Sequence, residues 1–424
     1  MTGKSENKDL GEFVAMKYEH NPHGAFSVDW YIGKRCNFDC SYCADYLHDN
    51  KTPHVPKDKM IRLIDTLQAA YGSNIMWSIC GGEPTIIPHL TEVMAYIRKG
   101  GAYDISITTN LSRKTDYFLE LYPYLNNITA SLHFEIMAGK TEEYTDRIIA
   151  LERWRRQWNE DQTKKGGFPN AKTGWRRKTF LVRFMMYPGQ FDKILAMKKK
   201  LEDAGVEKIE FRYIRPLRGL SNEQMPTKKL GFDVNHDRMV AEELHAENVE
   251  IKTKVTPSVH GASGEAPDHE VVSSVDTEVI AKIKDREEWY TEEEKTIIRK
   301  LFAGEPKKFL RLFFAKDGNI TEEGYHYNQL NFERKNNFEG WLCWAGTKHM
   351  KITPSGDIYI GSCHVGGRLG NIYSLDESFV LPKEPVLCPK WRCTDNLDLR
   401  VPKVKGPEYA HLVEDQVKAA GTGL

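Results

Sequence analysis

Three cysteines fall within one eight-residue segment, CNFDCSYC, as Cys36, Cys40 and Cys43. A C-x3-C-x2-C spacing puts three thiols on one short loop. Thiolates are soft ligands that suit iron–sulfur clusters or zinc. Three of them leave a tetrahedral zinc one ligand short, and the nearby His48 and His54 follow no zinc spacing. Three thiolates can hold three irons of a 4Fe–4S cubane, with the fourth iron open to a small molecule. A second set, Cys343, Cys363, Cys388 and Cys393, lies near the other end of the chain. Four thiols can ligate a cluster completely, or hold zinc. The eighth cysteine, Cys80, ends an apolar run and reads as a buried thiol outside both ligand sets. The start of the chain has no apolar core of a signal peptide, so metal or redox chemistry is expected here rather than disulfides.

The elements that must position these thiols are legible as alternation. Strand-like runs occupy 27–33, 74–80, 103–109, 127–134, 178–187 and 206–214. Helix-like stretches lie between them at 57–71, 88–100, 113–122, 140–159 and 189–204. Pro88 and Asp116 stand near helix starts and Gly205 just past a helix end. Strands alternating with helices predict an α/β fold with a parallel sheet. Six repeats predict an open, partial (β/α)6 barrel rather than a closed eight-stranded one. Ligands then gather at the C-terminal strand ends, where the first cysteine loop falls.

The alternation sets the expected domains. Residues 1–26 read as an N-terminal extension and 27–220 as the partial barrel. Residues 221–305 read as a variable linker and substrate-contact region, with a flexible stretch at 255–270 and a helix at 291–304. Residues 306–424 read as a small C-terminal α+β domain around the last four cysteines, with strand-and-turn segments at 311–320 and 349–363. The polar, basic segment 160–178 reads as a surface loop or an entrance for substrate.

A further motif, GGEPT, follows the second barrel strand as Gly81, Gly82, Glu83, Pro84 and Thr85. Glycines let backbone approach a ligand closely, and a carboxylate can neutralise an ammonium. The cysteine spacing together with this motif resembles the radical S-adenosylmethionine (radical SAM) superfamily. The resemblance implies a 4Fe–4S cluster on Cys36, Cys40 and Cys43 and S-adenosylmethionine held by Gly81, Gly82, Glu83 and Pro84. It implies Tyr42 beside the adenine, and Thr109, Asn110 and Ser131 around the cofactor. Arg183, a cation within the apolar run LVRFMM, needs an anion; the cofactor carboxylate and a structural salt bridge are the two candidates. His133, Arg212 and Arg215 are candidate substrate contacts, with a core histidine and rim charges as the plain alternatives. The implied reaction is reductive cleavage of the cofactor to a 5′-deoxyadenosyl radical, which takes hydrogen from a substrate carbon.

The C-terminal pattern GWLCWAG, GDIYIGSCH and CPKWRC is similar to the auxiliary-cluster domains called SPASM and Twitch. Four cysteines fit the shorter, one-cluster Twitch form on Cys343, Cys363, Cys388 and Cys393. Six residues separate Gly356 from Cys363, and the last pair is C-x4-C, both wider than is usual there. The branch implies modification of a ribosomally made peptide by cross-link, epimerisation or oxidation. The alternative is oxidation of a small polar molecule such as an amino sugar or nucleotide derivative. A non-catalytic metal-binding scaffold is the reading from another class. The expected partners are a reductant such as flavodoxin or ferredoxin and a peptide or small-molecule substrate.

Composition narrows the classes. Lys plus Arg and Asp plus Glu number 60 each, so no net basic field is available to hold nucleic acid. No run is long and apolar enough to span a bilayer. A cytoplasmic location is the expectation.

Overall fold

The computed structural model describes residues 10–417, apart from 20, 22–23, 44–47, 138, 167–176, 213, 215–251, 256–270, 275–288, 304–308, 326, 328–329, 331–334, 376–378, 391–392 and 394–396. The chain opens with β1 (Glu12–Tyr18) and β2 (Phe26–Tyr31). It continues through α1 (Lys57–Tyr71), β3 (Ile75–Cys80), α2 (Leu90–Lys99), β4 (Asp104–Thr109), α3 (Thr115–Leu121) and β5 (Asn127–His133). Then come α4 (Phe134–Met137), α5 (Thr141–Lys164), β6 (Thr179–Met185), α6 (Phe191–Asp203) and β7 (Ile209–Arg212). Strands β2 to β7 lie side by side and parallel, as strand–helix alternation requires.

The two faces of this sheet differ because side chains alternate along a strand. One face carries Trp77, Ile79, Ile105, Ile107, Ile128, Leu132, Val182 and Phe184, all buried. Helices cover it: α1 offers Met60, Leu63, Ile64 and Leu67 at helical spacing. The other face is polar. Asp29 pairs in register with Ser78, and Ser131 with Arg183, which in turn pairs with Glu210. A parallel sheet with one polar face departs from the all-apolar strands usual for that arrangement. It marks the side on which polar ligands can be met.

The later chain contributes an antiparallel pair, β8 (Lys252–Val255) and β9 (Val271–Ser274), and α7 (Glu292–Ala303). Tyr290, just before α7, is buried, and its hydroxyl donates to Met186 O at 2.6 Å. Ile214 N donates to that hydroxyl at 3.3 Å, so Tyr290 fastens α7 to the ends of β6 and β7. Next come β10 (Leu310–Lys316), β11 (Asn319–Tyr325), β12 (Leu342–Cys343), β13 (His349–Ile352), β14 (Asp357–Tyr359), β15 (Arg368–Asn371), β16 (Val386–Leu387), β17 (Lys403–Val404) and α8 (Glu414–Val417).

These strands do not form a separate block. A second sheet has the order β11-β10-β1-β17-β12-β16. The sequence treats residues 1–26 as an extension, but β1 stands in the middle of this sheet, antiparallel to both β10 and β17. Seven residues, EFVAMKY, carry strand character but nothing that names a partner so far along the chain. In the opposite sense, β13 joins the first sheet, parallel to β2, with β14 and β15 beyond it. Two apolar cores result. One lies beneath the parallel sheet and the other contains Val14, Met16, Leu312, Phe338, Trp341 and Val404.

Candidate active site and four-cysteine centre

The first cysteine loop leaves the C-terminal end of β2, beside the end of β3. Cys40 is buried, while Cys36 and Cys43 are partly exposed. The three thiols interact with one another: Cys40 shares a hydrogen bond with Cys43 and lies in the electrostatic field of Cys36. Burial pushes the Cys36 thiol up to about 12. The bond to Cys43, then burial, raises that of Cys40. Such thiols ionise when a metal replaces the proton.

The GGEPT segment acts as a clamp on this loop. Gly82 N donates to Gly33 O and Glu83 N to Arg35 O, both at 2.9 Å. Gly81 has φ +137°, and a Cβ there would meet Gly33 O at 2.6 Å. A Cβ on Gly82 would overlap the carbonyl oxygens of Arg35 and Lys34. The glycines are thus required by backbone packing against the loop that carries Cys36. Gly82→Ala is expected to cost about 1–3 kcal/mol at this contact. The urea midpoint should fall, and the iron retained after reconstitution should fall with it.

Glu83 is the hub behind the clamp. Its Oε1 accepts from Thr85 N at 3.0 Å, Thr85 Oγ1 at 2.5 Å and Thr109 Oγ1 at 2.7 Å; its Oε2 accepts from Asn110 N at 2.6 Å. Burial pushes its carboxyl up, and the four donors pull the other way. Pro84, buried, opens the short turn that follows. Asn110 Nδ2 donates to Asn37 Oδ1 at 2.9 Å, which ties the end of β4 to the cysteine loop. Glu83, Thr109 and Asn110 therefore brace the loop from below.

His133, at the end of β5, reaches the loop from the other side. Its Nδ1 lies 3.4 Å from Cys40 Sγ and 2.5 Å from the Tyr42 hydroxyl. The Tyr42 and His133 rings are parallel, with centroids 5.9 Å apart. Tyr187 and Trp289 complete an aromatic wall at 6.1 and 6.4 Å from Tyr42. Sequence reading missed both, because neither stands in a motif. Ser41 N donates to Glu135 Oε2 at 2.9 Å, a further tie to the chain just after β5.

Ser131 and Arg183 sit opposite each other on the polar face. Arg183 Nη2 pairs with Glu210 Oε2 at 3.2 Å, and its buried Nε has no hydrogen-bond partner among the described residues. Arg212 is in register with Met185, one row nearer the strand ends. Arg215 lies outside the described residues. Cys80 faces the same side, with its Sγ 3.8 Å from Asp29 Oδ1. Lys351, brought in by β13, is in register with Asp29. A charged residue inside the run VDWY was the available sign for Asp29.

Of the second set of thiols, Cys343, Cys388 and Cys393 lie in the other sheet and its loops, and Cys363 lies on the connection between β14 and β15 of the first sheet. Cys343, Cys388 and Cys393 are buried, and Cys363 is partly exposed. Each interacts electrostatically with at least one other member of the set. Burial raises all four thiols. Cys388 N donates to Trp341 O, and Cys393 N donates to Asn336 O, each at 2.8 Å. Asp398 accepts from Ser362 N and Cys363 N, at 2.9 and 2.8 Å. No three His, Cys, Asp or Glu side chains among the described residues converge as a single-ion site requires. A cubane asks for less convergence, because each thiolate binds its own iron. Three and four thiols are the kind of donor that iron–sulfur groups take.

The comparisons bear on the first site. The model of the Radical SAM superfamily matches residues 30–166. An S-adenosylmethionine-dependent nucleotide dehydratase from Flammeovirga pacifica is 26% identical over 111 residues, 25% of this chain and 38% of that protein. A probable GTP 3',8-cyclase from Metallosphaera sedula (strain ATCC 51363 / DSM 5348 / JCM 9185 / NBRC 15509 / TH2) is 33% identical over 75 residues, 18% of this chain and 23% of that protein. The chain thus spans well under half the length of these curated relatives. The solved structure of Streptococcus suis SuiB bound to precursor peptide SuiA is 14% identical, with a TM-score of 0.40, covering 84% of this chain and 64% of that one. The matched segment contains Cys36, Cys40, Cys43, the GGEPT clamp and His133. That segment, residues 30–166, is what this chain has in common with the Radical SAM superfamily.

Proposed function

We propose that this chain is a radical SAM enzyme that cleaves S-adenosylmethionine reductively and takes a hydrogen atom from a substrate carbon. The observation that carries this reading is the three-thiol loop clamped by GGEPT inside the segment that matches the family. When bound, the cluster and S-adenosylmethionine supply the electron and the carbon radical. Cys36, Cys40 and Cys43 would hold the cluster, with Glu83, Thr109 and Asn110 keeping the loop in place. Tyr42, Tyr187 and Trp289 offer ring faces and exclude water at the mouth. Ser131 and Arg183, neighbours in register on the polar sheet face, would orient a polar group there. Cys343, Cys363, Cys388 and Cys393 would hold a second cluster that passes electrons, and a flavodoxin or ferredoxin would supply the first one.

For the substrate we favour a small anionic molecule of the nucleotide class. The two sequence relatives are named for nucleotide chemistry. The polar face also carries Arg183, Arg212 and Lys351. Peptide modification is the competing outcome of the test. The test is anaerobic reconstitution, an iron and sulfide count, and an assay of 5′-deoxyadenosine with dithionite. Iron at both centres, with nucleoside release lost in a Cys36/Cys40/Cys43→Ala variant, is expected. Nucleoside phosphates should raise the release rate above the uncoupled background. Zinc in place of iron, or iron without any nucleoside release, would overturn the enzyme reading. Stimulation by a peptide alone would overturn the substrate class.

A further inference from the structure

Lys403 is a cation in an unusual place. It lies on β17, in register with Cys343 of β12, and is 1% exposed. Its ammonium donates to Asp398 O at 2.5 Å and Val401 O at 2.9 Å, and it sits 5.3 Å over the Phe338 ring. These partners are carbonyls and a ring face. The Asp398 carboxylate accepts from the amides of Ser362 and Cys363, lies 3.6 Å from His349 Nε2, and gives this ammonium a part of its electrostatic support. A buried charge is costly unless an opposite charge answers it. Around this ammonium stand the thiols Cys343, Cys388 and Cys393, each of which feels it.

Four thiolates carry four negative charges, more than either a cubane core or a zinc ion neutralises. We propose that Lys403 is the internal counter-ion of the four-cysteine centre, stabilising the bound metal group and, where that group is iron–sulfur, favouring its more negative, reduced form. The inference rests on reading the four cysteines as a metal centre. It goes beyond that reading by assigning a residue that is not a ligand. One electron from an external reductant such as dithionite converts the oxidised form to the reduced form, and no bond to protein is made or broken. A fixed positive charge nearby favours the state with one more negative charge.

The experiment uses the full chain with Cys36, Cys40 and Cys43 all replaced by Ala, so that metal counts refer to the second centre alone. Lys403→Met removes the charge at similar length, and Lys403→Arg keeps it. The Met variant is expected to lose metal to a chelator at least tenfold more readily than its parent. With iron present, its ratio of reduced to oxidised form at fixed potential should fall about tenfold, equivalent to about 59 mV for a one-electron couple. The Arg variant should recover most of both effects. The urea midpoint of the metal-free protein separates this from a structural role. It should be similar for Met and Lys, because the loss of the bonds to Asp398 O and Val401 O is offset by the desolvation cost of the buried ammonium, which an apolar chain removes. A metal-free midpoint that falls as far as the metal-loaded one, or unchanged metal retention in the Met variant, would overturn the proposal. If zinc fills the site, the chelator test decides it alone. A parent that binds neither iron nor zinc would instead sink the reading of the centre on which the proposal rests.

Discussion

Glu83→Ala is expected to strip iron from the first cysteine loop and to abolish 5′-deoxyadenosine release, although Glu83 is not a ligand. Four buried donors point at its carboxylate: Thr85 N, Thr85 Oγ1, Thr109 Oγ1 and Asn110 N. Each donor left without an acceptor costs about 1–3 kcal/mol. Even two of them uncompensated amount to a large part of the roughly 5–15 kcal/mol by which a domain is stable. The damage would travel along stated bonds. The Thr85 turn loosens, Glu83 N loses its alignment on Arg35 O, and Asn110 loses its hold on Asn37. Glu83→Gln keeps the shape but turns an amide NH2 toward donors, so it should retain only part of the iron. The check is iron per chain at the first centre, read in a background where the last four cysteines are replaced by Ala. Full iron loading in the Ala variant would show that the clamp is not what holds the loop.

The second large effect is expected at the opposite end of the chain. Deleting residues 1–18 should unfold the second sheet, whereas an extension could be removed without loss. β1 separates β11-β10 from β17-β12-β16, so its removal cuts the sheet in two. Val14, Ala15 and Met16 are fully buried, and Phe13 packs its ring on Phe314, Phe338 and Trp341. Buried side chains of this size contribute about 1.5–3 kcal/mol each, so the strand brings on the order of 6 kcal/mol. Two edges, on β10 and β17, would be left open to pair with other chains. The expected result is aggregation, or loss of metal at the four-cysteine centre with iron at the first centre kept. Met16→Asp, an unpaired charge in the same core, should act in the same direction. Iron analysis of the soluble fraction, with size-exclusion chromatography, reads both. A soluble truncated chain with both centres loaded would refute the assignment of β1 as a central strand.

What was legible in the sequence was local. The strands at 74–80 and 103–109 were readable from their period and stand at Ile75–Cys80 and Asp104–Thr109. The helix at 57–71 matches α1, because Met60, Leu63, Ile64 and Leu67 announce one face. The helix at 140–159 runs five residues further, to Lys164, since the polar tail EDQTK carries no stop. The cysteine loop and GGEPT were visible as motifs, but the bonds between them were not. Glu83 reads as a partner for an ammonium, and its four backbone and hydroxyl donors are a role that the motif does not show. Lys403 reads as one more surface lysine in VPKVKG, and only the pairing of β17 with β1 and β12 buries it. Tyr187 and Trp289 meet across the sheet mouth through a contact that no periodicity records.

The central position of β1 also sets an order of events during synthesis. Glu12–Tyr18 is made well before its partners Leu310–Lys316 and Lys403–Val404, which lie about 300 residues or more further along. At about 10 residues per second the strand waits on the order of half a minute before it can pair. The parallel strands can assemble meanwhile, because each finds its neighbour within the next helix–strand unit. Strand β1 is thus placed long after it is made, and closing so long a loop is intrinsically slow. Through that interval an apolar seven-residue strand stands unpaired, and the nascent chain has most to gain from a chaperone that masks it.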